Sequence, residues 1–221
     1  MVRRAALQLI ANRTAPLLER WHQETDLSVR VTLLLALDQA AAAGAEEPTG
    51  STYAEVRAVL DSVLHCENPV LRVAAVIATA SLDPQAALRA YPMLLELLTD
   101  PALAPEFGKV WYTLDCEYPY ERNDVAARAV QLLWLDTAVA TSFVAGLAET
   151  GSRIGDAELR RCALHEAWRL LAARPSAAAA VLPLAAGLLA DPDDDARYKA
   201  AHLLAVLGHR APRTPTGSPP S

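Results

Sequence analysis

Residues 191–208 read DPDDDARYKAAHLLAVLG, and this stretch decides the fold because it contains every signal of one complete helix. Its apolar residues are Ala196, Ala200, Leu203, Leu204 and Leu207. Their spacing places them on one face of a helix. Asp193 and the two aspartates after it suit the positive helix N-terminus, and Gly208 can take the left-handed conformation that ends a helix.

The same pattern recurs upstream, where an apolar residue directly precedes an arginine. The six arginines are Arg3, Arg30, Arg72, Arg128, Arg160 and Arg197. Four residues before each of the last five stands a good N-cap or first-turn residue. These residues are Asp26, Asn68, Asp124, Asp156 and Asp193. The recurrence predicts six helices that share a start signal, an arginine and one apolar face.

Partner helices are predicted between the arginine helices, because amphipathic or alanine-rich segments lie there. The segments are Ala15–Glu24, Tyr53–His65, Ala86–Leu98, Thr141–Glu149 and Ala177–Ala190. Proline, glycine and serine mark the breaks at residues 48–51 and 174–176. Alternation of two helix types predicts an array of helical repeats.

On these residues the chain resembles a HEAT-repeat protein. The proline, acid, apolar residue and arginine of that repeat match Pro183, Asp191, Ala196 and Arg197, and again Pro16, Glu24, Val29 and Arg30. A third copy starts with Pro92 and Asp100 and then departs, offering Pro105 and Glu106. The resemblance implies an all-α fold, a right-handed α-solenoid of about five antiparallel helix pairs over residues 1–210. It also implies an Asp–Arg ladder between repeats.

The pattern fails in two places. Arg72 and Arg128 are 56 residues apart, which exceeds a typical repeat by about 15–20 residues. The excess matches residues 101–121, which we interpret as an insertion or as a degenerate helix over Phe107–Cys116. The helix around Arg3 has no preceding cap or partner, so Val2, Leu7 and Ile10 are candidates for docking on another surface. Residues 211–221 are rich in proline and serine, which predicts a disordered tail.

The irregular segment concentrates aromatic residues, which are common at the centre of protein interfaces. The candidate partner-binding residues are Trp111, Tyr112, Tyr118, Tyr120 and Arg122. Two interpretations remain open. The aromatic residues either fill an irregular repeat junction as core, or Tyr118 and Tyr120 stay exposed and contact a partner.

Charge restricts the partner. Residues 51–121 hold ten acidic against four basic residues, whereas the rest of the chain is balanced, giving a net charge of −6. We therefore expect a protein or peptide partner with a basic segment. A nucleic-acid partner is not expected, because residues 122–174 set seven arginines against six acids and form no basic face. This also argues against a glycosylase of HEAT-like fold.

No catalytic, cofactor or metal residue is predicted. Hydroxylases of similar architecture hold two irons with several His-Glu pairs, whereas His165-Glu166 is a single pair that we expect on a solvated helix face. Cys66, Cys116 and Cys162 are isolated and are expected to be free thiols. His65-Cys66 has no orienting third group.

These observations predict a non-enzymatic cytoplasmic scaffold or adaptor without a membrane span. It would bind a protein along the arginine helices and through residues 101–121. A lyase-like or chaperone-like protein that presents a ligand is the main alternative.

Overall fold

The computed structural model describes residues 14–43, 51–110, 122–134 and 136–210. Within these residues it is entirely helical, with eleven α-helices and a short 3-10 turn at Pro175–Ala177. The helices are α1 (Thr14–Gln23), α2 (Leu27–Ala43), α3 (Ser51–Leu64), α4 (Pro69–Leu82), α5 (Pro84–Thr99), α6 (Ala104–Phe107), α7 (Arg122–Leu133), α8 (Thr137–Ile154), α9 (Ala157–Ala173), α10 (Ala178–Gly187) and α11 (Asp194–Arg210). The five predicted partner helices are confirmed as α1, α3, α5, α8 and α10.

Helices pack in the order of the chain. The five that carry the recurring arginines, here called the arginine row, are α2, α4, α7, α9 and α11. Each member of this row packs on the next one along the chain. Each also packs on the partner helix before it, as α1 does on α2 and α10 does on α11. Helix α5 packs on α7 in the same way, with the short α6 between them.

Four arginine helices start with the same hydrogen bonds. The Asp26, Asn68, Asp156 and Asp193 side chains each accept the amide N–H three residues later, at 2.8–3.1 Å. Each cap carbonyl also accepts the amide of the arginine that follows, at 2.9–3.4 Å. A cap of this kind stabilises a helix by about 1 kcal/mol because it satisfies an otherwise unpaired N–H group. These four predicted start signals are therefore confirmed.

A second carboxylate fixes the turn before two of these caps. The Glu24 side chain accepts the amide of Asp26 at 3.0 Å, and the Asp191 side chain accepts the amide of Asp193 at 2.9 Å. Asp100 makes the same bond to the amide of Ala102. These are the acids at the positions that match the repeat pattern, so a local bond explains why an acid stands there.

Helix α7 departs from the predicted register. It begins at Arg122, so Asp124 lies in its first turn. The buried residues spaced by four are Val125, Ala129 and Leu133, whereas Ala127, the apolar residue directly before Arg128, is only half-buried. Arg128 is exposed, with Nη1 3.5 Å from the Gln131 side-chain oxygen. The repeat pattern is therefore displaced by two residues in this helix, and the expected position of Arg128 is wrong.

The arginine row is closed at one end and open at the other. Residues 31–38 of α2 and 73–79 of α4 are buried without a break, so these helices are enclosed on all sides. This fits their composition, because a helix that is apolar all round is a core helix. The prediction of one apolar face is wrong for α2 and α4. It holds for α9 and α11, each of which leaves one side exposed.

A buried ion pair joins the last two helix pairs. Arg160 in α9 donates from Nη2 to Asp191 Oδ1 at 3.0 Å, and its Nε lies 2.6 Å from Oδ2. Nη1 of the same guanidinium donates to the Gly151 carbonyl at 2.9 Å, at the end of α8. Arg197 in α11 donates to the Asp191 carbonyl at 2.5 Å. Together the two arginines tie α8, α9 and α11 to the turn before α11.

Gly151 is required where α8 meets α9. A Cβ at this position would lie 2.9 Å from the Leu159 Cβ and 3.0 Å from the Asp156 carbonyl oxygen. Four residues later, Gly155 ends α8 at a φ of 74°, in the left-handed region that favours glycine. The 151–155 segment therefore ends α8 and turns the chain, and the missing side chain at Gly151 leaves room for Arg160.

A second buried arginine, Arg122, lies on α7, the arginine-row helix that precedes α9. Arg122 is only 5% exposed, and its Nη2 lies 2.8 Å from an Asp156 oxygen and 3.3 Å from a Glu158 oxygen. Asp156 is also the cap of α9, so one carboxylate both starts a helix and holds the preceding one. Its pKa is lowered: burial would raise the pKa, but the Leu159 amide and Arg122 stabilise the charged form.

Replacing Asp191 tests the ion pair. We expect Asp191→Ala to lower the free energy of unfolding by about 3–5 kcal/mol, because it leaves the Arg160 guanidinium buried and unpaired. Burial would raise the pKa of Asp191, but hydrogen bonds from Arg160 and from the Asp193 amide hold it below the usual range. The stabilisation is therefore present above about pH 4 and lost as pH falls through the lowered pKa.

Urea unfolding followed by circular dichroism at neutral and acid pH measures both effects. Asp195→Ala is the matched control, because that carboxylate is exposed and faces Arg161 at 3.4 Å across the same two helices. Equal losses for the two variants, or a difference that persists at the lowest pH, would contradict a buried pair.

Candidate interaction surface

One of the five predicted partner-binding residues, Arg122, lies within the described part of the chain. It is buried against Asp156 and Glu158, so a partner cannot reach its guanidinium in this conformation. As a partner-binding residue Arg122 is corrected to a structural one. Trp111, Tyr112, Tyr118 and Tyr120 lie outside the described residues, as does the N-terminal stretch with Val2, Leu7 and Ile10.

Two further aromatic residues flank the predicted partner-binding residues in the sequence, and both lie within the described part of the chain. Phe107 is fully buried, and Trp134 at the end of α7 is half-buried with its indole nitrogen shielded from solvent. At these two positions the aromatic residues belong to the core, as the first of the two open interpretations expects.

Exposed aromatic residues occur instead where the arginine row is open. We define the α9–α11 surface by His165 and Trp168 on α9 and by Tyr198, Lys199 and His202 on α11. Trp168 is 42% exposed and Tyr198 is 72% exposed. The exposed sides of the two helices are neighbours, because Arg161 on α9 lies 3.4 Å from Asp195 on α11 and the charge of Lys199 acts on His165.

Each aromatic residue on this surface is stacked on a histidine of its own helix. The His165 and Trp168 rings lie 6.1 Å apart at an angle of 27°, and the Tyr198 and His202 rings lie 6.4 Å apart at 15°. Spacings of three and four residues bring such rings onto the same side of a helix. Stacking limits the rotamers of Trp168 and Tyr198, which lowers the entropy lost when a partner covers them.

The exposed charge of this surface is positive. The pKa of His165 is lowered, first by partial burial and then by the positive charges of Lys199 and Arg169. The acids at the start of α11 are engaged, since Asp195 faces Arg161 and Asp194 binds Arg197. Among the residues that the structure describes, no carboxylate lies within ion-pair distance of Lys199.

Glu166 lies beneath this surface and corrects the expectation for the His165-Glu166 pair. His165 is exposed as expected, but Glu166 is only 1% exposed. Its Oε1 lies 3.3 Å from Arg169 and 3.9 Å from His165, while Oε2 is buried without a hydrogen-bond partner. Burial raises the pKa of Glu166, and Arg169 only partly opposes this. In this pair His165 is therefore exposed to solvent, whereas Glu166 belongs to the core.

The neighbouring thiol is inert. Cys162 lies one helical turn before Glu166, is buried, and is a free cysteine. Burial, followed by the negative charge of Glu166, raises its pKa to about 12. A thiol with such a pKa carries almost no thiolate at neutral pH, so Cys162 is not a nucleophile. Cys66 is also free, and Cys116 lies outside the described residues.

Within the described residues, no group of three or more histidine, cysteine or carboxylate side chains is placed to hold a metal ion. No helix among those residues has the length and apolar content needed to cross a bilayer.

The α9–α11 surface was missed by reasoning from sequence, although its signal was available. Tyr198 and Lys199 lie within residues 191–208, and His165 to Arg169 lie within the predicted helix that carries Arg160. On both helices the aromatic residue falls outside the buried set, which is what an exposed position would show. Comparison with known proteins found no matching family model, no similar curated protein and no similar solved structure.

Replacing Glu166 by glutamine tests the raised pKa. The folded chain binds this proton more tightly than the unfolded chain, so Glu166 destabilises the fold increasingly as pH rises above about 4. We expect Glu166→Gln to be more stable than the natural chain at neutral pH, with the advantage vanishing in acid. Thermal unfolding across that pH range measures this, and Glu149→Gln on the exposed side of α8 is the control. A glutamine variant that is less stable at neutral pH would show that the carboxylate is needed in its charged form.

Proposed function

We propose that the chain is a HEAT-like α-solenoid scaffold that binds a protein partner through the α9–α11 surface. Three features support the solenoid. The packing follows the order of the chain, four arginine helices share one capping geometry, and arginines contact the carboxylate of the next repeat. In a solenoid each repeat contacts only its neighbours, which leaves an extended face for binding.

The single observation that carries the proposed function is the opening of the arginine row at α9 and α11. Helices α2 and α4 are enclosed, so they offer no accessible face to a partner. Where the row opens, it exposes a tryptophan and a tyrosine, each stacked on a histidine. Tryptophan and tyrosine are the residues most enriched among interface hot spots.

A partner with a basic segment, as the sequence predicts, would meet a different part of the molecule. The exposed acids in the described part of 51–121 include Glu55 and Asp61 on α3 and Glu96 on α5. Both α3 and α5 are among the helices that pack beside the arginine row, not members of that row. We propose that any basic segment binds there. No observation on the described residues favours an enzyme or a ligand-presenting protein over a scaffold.

Affinity capture with matched variants tests this function. The full chain would be used as bait in lysate of the native host, beside Trp168→Ala, Tyr198→Ala and the control Leu182→Ala. Leu182 is 49% exposed on α10, so the control removes a comparable apolar side chain outside the α9–α11 surface. We expect a defined protein to be retained by the natural chain and the control, and lost by at least about tenfold with either aromatic variant.

The retained protein would then be purified and titrated against the same four chains. Equal affinity for all four would exclude the α9–α11 surface as the binding site. Circular dichroism of each variant ensures that loss of capture does not reflect loss of fold.

A further inference from the structure

We infer that the α9–α11 surface binds an acidic segment of a partner protein, one in which carboxylates alternate with aromatic or other apolar side chains. The inference rests on the proposed function and names the partner chemistry of the same surface. It differs from the basic segment that the net charge alone suggests, because the acids of this chain are not distributed evenly.

The charged groups around the surface determine the sign. Lys199 lies beside Tyr198 on α11, and after partial burial its positive charge is the next cause of the lowered pKa of His165 on α9. Arg169 adds a second positive charge and is about one third exposed. Glu166, the carboxylate that pairs with Arg169, is buried, so this ion pair exposes its positive member and not its negative one. An incoming carboxylate therefore meets positive charge at both helices.

The acids at the start of α11 do not reverse the positive sign of this surface. Asp195 is held by Arg161 at 3.4 Å, and Asp194 binds Arg197. Asp194, Asp195 and Arg197 lie in the first turn of α11, and Arg161 faces Asp195 from α9. Tyr198 and Lys199 follow Asp194 and Asp195 by one turn, and Trp168 and His202 lie about two turns beyond Arg161 and Asp195. Both acids at this end are held by arginines, so the positive and aromatic groups begin one turn beyond a charge-balanced end.

The aromatic residues determine the second requirement. Trp168 and Tyr198 are exposed, are followed in sequence by Arg169 and Lys199, and are each stacked on a histidine of their own helix. A segment with carboxylates alone would leave these rings uncovered, so an apolar side chain beside the acids gains further burial. A single-stranded nucleic acid could also stack on the rings, but a chain of net charge −6 without a broad basic face lacks the main electrostatic contribution to such binding.

Binding of defined probes to the full chain tests the inference. Three fluorescein-labelled probes would be compared by fluorescence anisotropy. Two are peptides of equal length, in which phenylalanine alternates with glutamate in one and with lysine in the other. The third is an oligothymidine. We expect the acidic peptide to bind most tightly and to weaken in high salt. Tighter binding of the lysine peptide or of oligothymidine would overturn the inference.

The two lysines of the chain provide a matched pair of variants. Lys199→Glu reverses the charge at the surface, whereas Lys109→Glu makes the same change at an exposed lysine that pairs with Glu106. We expect Lys199→Glu to weaken the acidic peptide by about tenfold or more, and Lys109→Glu to leave it nearly unchanged. Equal effects would mean that only net charge matters and would overturn the inference. Tyr198→Ala gives an independent variant, and it should also weaken the acidic peptide.

The failure of this inference is distinguishable from failure of the proposed function. If capture of a partner depends on Trp168 but the acidic peptide does not bind, the surface is a docking site and its partner chemistry is not acidic. If the acidic peptide binds but no captured protein depends on Trp168 or Tyr198, the proposed scaffold function fails.

Discussion

The contact of Arg160 with Asp191 is the interaction on which the described structure most depends. Two charged side chains are buried together, so each is tolerated only because the other is present. The same guanidinium binds the end of α8, and the same aspartate fixes the turn that starts α11. This one contact therefore sets the position of α9 relative to α11. Since the α9–α11 surface consists of side chains from these two helices, its geometry follows from a pair that lies out of reach of solvent.

The two ends of the arginine row illustrate how composition decides exposure. Helices α2 and α4 have valine, leucine or alanine on almost every side, and they are enclosed. In α9 and α11, charged and aromatic residues interrupt the apolar set, and one side stays open. A solenoid with a uniform binding face would show the same pattern on every repeat. In this chain the enclosed members, α2 and α4, lie at one end of the row, and α7, α9 and α11 each expose residues.

Much of the fold follows from local sequence signals, because caps and breaks act within four residues. Asp26, Asn68, Asp156 and Asp193 all form the predicted bonds. The register of α7 was not predictable, because Arg122 contacts Asp156 and Glu158 more than thirty residues away. Glu166 was misjudged for the same reason: its burial depends on the packing of neighbouring helices, which one helix cannot reveal. The candidate surface required both α9 and α11 to be placed side by side.

Hydrogen–deuterium exchange of Asp191→Ala tests most directly whether the helices pack in chain order and are coupled only to their neighbours. In a linear array, a defect is felt by adjacent repeats and not at a distance. We expect faster amide exchange in α8 to α11 and unchanged protection in α2 and α4. A uniform loss of protection across all these helices would contradict it, because it would show a single cooperative core.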